Sequence, residues 1–233
     1  MPKASLKKKS DPNNFLVFLY GAMMAASGVF LGILYLMSFP LVAYSSLGER
    51  ERAMEERESM VPVPGDAFYI EGPVLRSRGW ESKREALLEA QSGSVTVTVG
   101  EINAWLEDNF RVSAQSGEAS DGLTILPNTP NLGMSESGEI YLNLPCKITG
   151  YGLDGEYVLS ARVTYAGSQP TGLQVHQFQL GGAAIPLPSV LGAKLIRSVM
   201  GAYSGSEEYA SMNDFWSRLA SVEVSEGALV FTL

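Results

Sequence analysis

The sequence FLVFLYGAMMAASGVFLGILYLMSFPLVAY occupies residues 15–44 and contains no charged side chain. An α-helix rises about 1.5 Å per residue, so roughly 20 apolar residues are enough to cross the ~30 Å hydrocarbon core of a membrane. This segment is longer than that requirement by about two helical turns. We therefore predict that residues 15–44 form a transmembrane helix, and the rest of the chain is placed relative to it.

The charges on the two sides of this segment predict its orientation. Acidic and basic side chains alternate after it, from Glu49 to Arg52, whereas the residues before it are mostly basic. These basic residues are Lys3, Lys7, Lys8 and Lys9. By the positive-inside rule, the N-terminus lies in the cytoplasm and the chain from about residue 46 lies outside. We expect a single-pass protein of the bacterial inner membrane with a periplasmic C-terminal domain.

Four regions follow from this placement. They are a cytoplasmic basic tail at residues 1–14, the transmembrane helix at 15–44, a helical stalk with a proline-rich linker at 45–65, and an extracytoplasmic α+β domain at 66–233. Helix-forming Glu and Arg residues predict a solvated extension of the span at residues 49–58. Pro62 and Pro64 end it, because proline cannot continue a helix.

A cleavable signal peptide is the alternative interpretation of the apolar segment, since Ala43, Tyr44 and Ser45 form an acceptable cleavage site. Signal peptides have apolar cores of about 7 to 15 residues, so a membrane span is the favoured interpretation. Gly28 and Gly32 form a GxxxG pair, a spacing that lets two membrane helices approach closely. A homodimer through these glycines is therefore a further prediction.

Composition and charge exclude several classes of function. The formal net charge is −8, and the first 14 residues carry +3, so the remaining chain carries −11. Such an acidic surface repels phosphate backbones, and we expect no nucleic-acid partner. Cys146 is the single cysteine, so no intramolecular disulfide forms. We expect the Cys146 thiol to be buried and inert, because Leu144 and Ile148 share its side of an alternating strand.

The residues needed for catalysis or metal binding do not occur in recognisable patterns. His176 is the single histidine and lies between glutamines on a predicted strand. Ser5 and Lys8 match an SxxK spacing, but they lie in the predicted cytoplasmic tail. Gly181 and Gly182 are not followed by the Lys-Ser/Thr of a phosphate-binding loop. We predict that the protein is not an enzyme and uses no cofactor or metal; a tethered hydrolase is the least favoured alternative.

Residue periodicity predicts an α+β fold for the outer domain. Strand-like alternation is clearest at residues 140–149, 157–165 and 173–180, and weaker at 95–99 and 222–233. Helices are expected at residues 80–91, 100–110, 188–201 and 204–219, whereas residues 112–138 give no clear prediction. We expect one curled antiparallel sheet of about five strands, packed on two or three helices.

One candidate ligand site lies where the third long strand joins the following helix. Residues 180–188 are apolar and contain two glycines, so they could form the mouth of a groove between sheet and helix. The residues of the predicted groove are Ala184, Ile185, Leu187, Val190, Leu191, Leu195 and Val199. Lys194 and Arg197 are predicted contacts for lipid headgroups. The alternatives are an ordinary tight connection and a solvated helix face.

Residues 94–233 carry a resemblance to a known family. The segment VTVGEINAWL at residues 97–106, with Glu101, Asn103 and Trp105, precedes a long β-meander that ends in IPLP at Ile185 to Pro188. This arrangement resembles small membrane-anchored bacterial envelope proteins with a TULIP-like (tubular lipid-binding) domain. It also resembles uncharacterised single-pass proteins of verrucomicrobial and planctomycete type. The resemblance implies a curled sheet and a long helix that hold lipid tails between them.

The expected function is therefore non-catalytic. We expect a membrane-tethered envelope protein whose outer domain binds a lipid or another apolar ligand. The alternative is a scaffold or assembly subunit that binds other envelope proteins and no ligand.

Overall fold

The computed structural model describes residues 14–56, 67–89, 92–110, 124–150, 153–165 and 172–233. Within these residues the chain is α+β, as predicted, with six helices. The helices are α1 (Asn14–Met37), α2 (Leu47–Glu55), α3 (Gly79–Glu89), α4 (Val99–Asn109), α5 (Val190–Tyr203) and α6 (Glu207–Arg218). The strands are β1 (Val42–Tyr44), β2 (Phe68–Ile70), β3 (Ser94–Thr98), β4 (Thr124–Pro127), β5 (Asn131–Met134), β6 (Ile140–Gly150), β7 (Leu153–Tyr165), β8 (Leu173–Leu180), β9 (Ala183–Ala184), β10 (Ser221–Ser225) and β11 (Ala228–Thr232).

The apolar helix α1 ends at Met37, so the predicted helix is too long at its C-terminal end. Pro40 has no backbone N–H, and it disfavours a helical conformation for the residue before it, Phe39. The chain therefore leaves the helix and forms β1, which pairs in parallel with β2. Residues 42–44 belong to the folded domain and not to the helix.

The strands form three sheets rather than the predicted single sheet. The largest is antiparallel, with the order β4-β6-β7-β8-β9, and β5 pairs with β6 beside β4. A second antiparallel sheet has the order β10-β11-β3, and β1 with β2 forms the third. The prediction of one sheet is wrong because β3 pairs with β11 near the C-terminus, where Thr98 faces Ala228. The described strands show no strongly curled sheet.

Two large apolar clusters fill the space between the sheets and the helices. The first core cluster joins one end of the large sheet to α5 and to the end of α1, and it includes Met37, Cys146, Leu180, Ile185 and Leu195. The second joins the other end of that sheet to the β10-β11-β3 sheet, and it includes Val97, Ile140, Val163, Phe215 and Val222. The helices thus cover one face of the large sheet, as amphipathic helices do.

The opposite face of the large sheet is covered by β2. Asn143, Ser160 and Gln179 lie side by side on β6, β7 and β8, and all three are buried. The Asn143 amide donates to the carbonyl of Ile70 at 2.8 Å, and the Gln179 amide donates to the carbonyl of Phe68 at 3.0 Å. Ser160 donates to Asn143 Oδ1 at 2.8 Å. This polar row satisfies backbone groups of β2 that burial would otherwise leave unpaired.

Coverage of both faces disturbs the alternation expected for β6. Leu142, predicted in the core, is 40% exposed, whereas its neighbour Asn143 is buried. Ile140, Leu144, Cys146 and Ile148 are buried as predicted. Asn143 is buried because β2 crosses the sheet there, and the covered face requires a hydrogen-bonding side chain instead of a solvated one. Leu142 lies on the opposite face of β6.

The predicted stalk is partly a packed helix. α2 begins after Ser46, whose side chain accepts a hydrogen bond from the backbone of Glu49. Leu47 and Ala53 pack on a small cluster of Tyr44, Ile70 and Tyr141. The Arg50 guanidinium lies 4.2 Å from the centre of the Phe68 ring, a cation–π geometry. α2 therefore packs against the domain and is not a solvated extension of α1. The predicted linker prolines lie outside the described residues.

Candidate functional site

The end of α1 is built into the first core cluster. Met37 is only 4% exposed, and Ile33, Leu34 and Leu36 pack against the same cluster. In contrast, large apolar side chains earlier in α1 are exposed, among them Phe18 at 74% and Phe30 at 54%. The helix therefore has two parts: a long exposed part and a final turn that contacts the domain.

Two glycines at the β8–β9 turn permit this contact. The backbone N–H of Gly182 donates a hydrogen bond to the carbonyl of Phe39 at 2.9 Å. A Cβ atom at Gly182 would lie 2.7 Å from the carbonyl oxygen of Leu36, and one at Gly181 would collide with the carbonyl of Met37. Gly181 also has a φ of +54°, which favours glycine. These two glycines, which belong to the predicted groove mouth at residues 180–188, therefore contact the end of α1.

The residues of the predicted groove differ in burial. Ile185 and Leu195 are buried in the first core cluster, and Val199 packs against that cluster. Ala184, Leu187, Val190 and Leu191 are exposed. Neither of the two cavities described below is lined by any of these residues. On α5, Arg197 is exposed and Lys194 is half-buried. Ligand binding by the set as a whole stays a prediction.

An open cleft of about 420 Å³ lies directly beside the end of α1. We call it the α1 cleft. One wall is residues 37–41, which leave the helix, and another is Gly181 at the β8–β9 turn. The remaining lining comes from β4, the following turn, and the middle of β6 and β7: Leu126, Pro127, Asn128, Pro145, Cys146, Lys147, Glu156, Tyr157 and Val158.

The lining of the α1 cleft combines apolar and charged side chains. Leu126, Lys147 and Glu156 lie directly opposite one another on β4, β6 and β7, and Pro145 faces Val158 in the adjacent row. The two charged residues are exposed, so they lie in contact with water. Cavities of about 300 to 1,000 Å³ with mostly apolar walls and a few polar groups are typical of small-molecule sites. The volume of the α1 cleft falls within this range.

The single thiol in the lining of the α1 cleft is not activated as a nucleophile. Cys146 contributes to the lining but is 3% exposed, as its predicted burial requires. Burial raises the pKa of the Cys146 thiol to about 12, so the thiol stays protonated near neutral pH. A protonated thiol is a poor nucleophile. Among the described residues, no group of three or more His, Cys, Asp or Glu residues could hold a metal ion.

A second, smaller cavity of about 280 Å³ lies at the start of α4. Its lining includes Leu75, Val99, Gly100, Met134 and Gly227. Thr98, a polar residue of this lining, is already paired within the protein. Thr98 and Glu101 form a capping box, and Lys83 Nζ lies 2.6 Å from Glu101 Oε2. This arrangement stabilises the first turn of α4.

A buried charged group ties three helices together. Glu208 on α6 accepts two hydrogen bonds from Arg84 on α3 and one from the indole of Trp105 on α4. Burial alone would raise the pKa of Glu208, but these hydrogen bonds and the charge of Arg84 outweigh it and lower that pKa. Because Glu208 and Trp105 are buried and the three side chains are paired with one another, we assign this group a structural role.

The remaining predicted site residues lie apart from the cleft. His176 is exposed on β8, and its Nε2 lies 2.6 Å from the hydroxyl of Thr164. No neighbouring heavy atom lies within 4 Å of a Cβ atom built at Gly28 or at Gly32, so this side of α1 is open to another helix. Dimerisation through it stays a prediction. The lysines of the N-terminal tail lie outside the described residues.

The sequence did not predict the α1 cleft, because residues 37–41 lie at least 85 positions from the rest of its lining. Pro40 was the available local signal, since it marks where the chain must leave the helix. No family model matches the chain, and neither a curated protein nor a solved structure does. The resemblance to TULIP-like envelope proteins is therefore still a prediction.

Proposed function

We propose that this protein is a non-catalytic, membrane-tethered protein of the bacterial envelope that binds a lipid or another apolar ligand in the α1 cleft. In this proposal α1 crosses the inner membrane once, with the N-terminus in the cytoplasm and the α+β domain outside. The observation that supports it is the contact between the end of α1 and the domain, because the cleft lies beside this contact and would therefore lie near the point where the proposed span leaves the membrane.

The length of α1 supports the proposed span. One helix in the described part of the chain, Phe15–Met37, is long and apolar enough to cross a membrane. About 20 residues are needed to cross the ~30 Å hydrocarbon core, so the core would end near Leu34. This is where α1 first contacts the domain, through Ile33 and Leu34. Residues 37–41, which form one wall of the cleft, then lie at the membrane interface.

The packing around α1 also favours a helix that is retained over a cleaved signal peptide. Cleavage near Ser45 would remove Met37 from the first core cluster. It would also remove β1, which pairs with β2, and Tyr44, which packs on Ile70 and Tyr141. Large apolar areas of the mature domain would then become exposed to water, at a cost of about 25 cal/mol per Å².

A ligand in the α1 cleft is tested with a variant that fills the cleft. Leu126 is half-buried in the cleft wall, and Leu126→Trp would occupy part of its volume. The matched control is Val175→Trp, because Val175 is 47% exposed on β8 and lies outside the lining. The full-length protein is purified in mild detergent, freed of loosely bound lipid, and studied by native mass spectrometry and by analysis of an organic extract.

The proposal predicts an apolar ligand that survives delipidation in the wild type and in Val175→Trp but is depleted in Leu126→Trp. Lipids that merely surround α1 would be retained equally by all three proteins. Equal retention, or a ligand-free wild type that is fully stable, would contradict the proposed binding function.

The orientation of α1 is tested separately by reporter fusions. A reporter that is active only outside the cytoplasm is expected to work when fused after Leu233, and one that requires the cytoplasm is expected to be inactive there. The opposite pattern would reject the proposed topology. Release of a soluble mature form from membranes would instead support the signal-peptide alternative.

A scaffold that binds other proteins is the second candidate function. The open space around Gly28 and Gly32 on α1 favours it, because a second helix could approach this side closely. Substitution of both glycines by isoleucine is expected to abolish cross-linking between copies in the membrane if α1 forms a homodimer. Unchanged cross-linking would show that these glycines do not mediate association.

A further inference from the structure

One side of α5 carries apolar side chains that nothing in the described domain covers. Val190 is 88% exposed, Ile196 is 42% exposed and Met200 is 44% exposed. Ala193 is also exposed. These four residues are spaced by three or four positions, so they lie along one side of the helix. We call them the α5 apolar face.

The buried side of α5 lies close to the end of α1. Leu195 is 2% exposed and belongs to the same core cluster as Met37, against which Ile33, Leu34 and Leu36 pack. The strand β9, which precedes α5, follows the two glycines that contact the last turn of α1. The segment that leads into α5 therefore contacts the last turn of α1, which on the proposed span leaves the hydrocarbon core of the membrane, and α5 packs on the same core cluster as that turn.

The charges on α5 favour a lipid surface as the partner. Lys194 and Arg197 lie next to the α5 apolar face, and α5 contains no acidic residue. The whole chain, in contrast, carries a net charge of −8. Helices with exposed apolar residues beside Lys and Arg bind in the plane of a membrane, where the basic groups contact anionic headgroups.

We propose that α5 lies in the membrane interface and attaches the domain to anionic lipids, with the α5 apolar face inserted among the headgroups. This inference rests on the proposed membrane span of α1. The attachment holds the domain in one orientation on the bilayer and keeps the α1 cleft facing the lipids. Lys194 and Arg197 select an anionic surface, and Val190, Ala193, Ile196 and Met200 provide the apolar contact.

A fluorescent probe on α5 tests the proposal in the full-length protein. The protein is reconstituted in vesicles of phosphatidylcholine and phosphatidylglycerol, and an environment-sensitive probe is attached at Ala193→Cys. Cys146 is buried, so the introduced thiol is the reactive one. Parallel proteins carry the probe at Glu226→Cys in the β10–β11 turn, or at Gly28→Cys within α1. A lipid with a nitroxide near its headgroup and another with a nitroxide on its acyl chain act as quenchers.

Strong lipid quenching is expected at position 193 and little at 226, with acyl-chain quenching at 28. Each basic residue near an anionic surface strengthens the binding constant for that surface by about fivefold. The double variant Lys194→Gln/Arg197→Gln should therefore shift the docking equilibrium about 30-fold toward the undocked state. Vesicles without phosphatidylglycerol should have a similar effect. Val190→Ser should weaken docking without unfolding the domain, because Val190 is almost fully exposed.

The possible failures are distinguishable. If position 28 is quenched and position 193 is quenched no more than 226, the inference about α5 is overturned while the span stands. If position 28 is not quenched either, the proposed span fails as well. A blue-shifted probe at 193 without lipid quenching would mean that a protein surface covers α5, which overturns the inference. The inference would also be overturned if quenching at position 193 stayed the same in the Lys194→Gln/Arg197→Gln variant and in vesicles without phosphatidylglycerol.

Discussion

The backbone N–H of Gly182 donates a 2.9 Å hydrogen bond to the carbonyl of Phe39, and this bond fixes the end of α1 to the turn between β8 and β9. The two residues are far apart in the sequence, yet their contact determines where the domain lies relative to the apolar helix. The α1 cleft and the proposed membrane surface of α5 both depend on this contact.

Gly182→Ala is expected to destabilise the protein by about 1 to 3 kcal/mol, because overpacking forces the backbone to move. The added Cβ would lie 2.7 Å from the carbonyl of Leu36. Gly201→Ala is the control: it lies within α5, its Cβ would meet nothing within 4 Å, and it should stabilise by about 0.5 to 1 kcal/mol. Thermal unfolding of the full-length protein in detergent measures both. Equal effects of the two variants would argue against a tight contact between α1 and the domain.

Removal of the Glu208 carboxylate is expected to cost about 1 to 3 kcal/mol, because the buried indole N–H of Trp105 and the partly exposed Arg84 guanidinium would lose their acceptor. The variant is Glu208→Ala. Asp214→Ala is the comparison, since Asp214 forms an exposed i,i+4 pair with Arg218 at 3.3 Å. Exposed pairs contribute about 0 to 1 kcal/mol. Chemical denaturation measures the unfolding free energy of both variants. Similar losses of stability in Glu208→Ala and Asp214→Ala would refute a buried, structural role for Glu208.

Acid is expected to weaken the same ion pair. Because the pKa of Glu208 is lowered below its ordinary value of 4.5 in the folded protein, its contribution to stability is complete above pH 4.5. That contribution is lost as the pH falls through the lowered pKa. The difference in unfolding free energy between wild type and Glu208→Gln should therefore be constant above pH 4.5 and shrink below it. A difference independent of pH over this range would be inconsistent with a charged Glu208.

Cys146 should resist labelling by a polar maleimide near neutral pH in the folded protein. Burial raises the pKa of its thiol to about 12, so very little thiolate is present, and the side chain is 3% exposed. The same thiol should react rapidly after unfolding in denaturant. Mass spectrometry of the labelled protein gives the extent of reaction. Rapid labelling of the folded protein would show that the position of β6 relative to the core is wrong.

Asn143→Ala is expected to destabilise the domain by about 1 to 3 kcal/mol, because the carbonyl of Ile70 loses its buried donor. Hydrogen exchange should increase locally in β2, which this side chain holds against the sheet. Gln174→Ala on β8 is the control, since Gln174 is exposed. Exchange in β2 that does not respond to Asn143→Ala would mean that the polar row does not hold β2 in place.

Several features of this protein could be predicted from short-range patterns. The run of apolar residues predicts α1, since its length and lack of charge need no partner to be recognised. Alternation predicts β6, β7 and β8, and the 3.6-residue period predicts α3, α4, α5 and α6. The ends of the helices were predicted less accurately: α6 begins at Glu207, after its cap Ser206, whereas the helix was expected from residue 204.

The tertiary structure alone decided the arrangement of these elements and the candidate site. β3 pairs with β11 and β1 pairs with β2, although no local pattern identifies these partners. Asn143 is buried because the distant strand β2 supplies a carbonyl that accepts its hydrogen bond. The alternating pattern places this polar residue on the exposed side of β6, so the pattern gives the wrong burial for it. Sequence periodicity reports which side of an element is apolar, but not which distant backbone will cover the other side. The contact of Gly182 with Phe39, and the α1 cleft beside it, arise from such long-range packing.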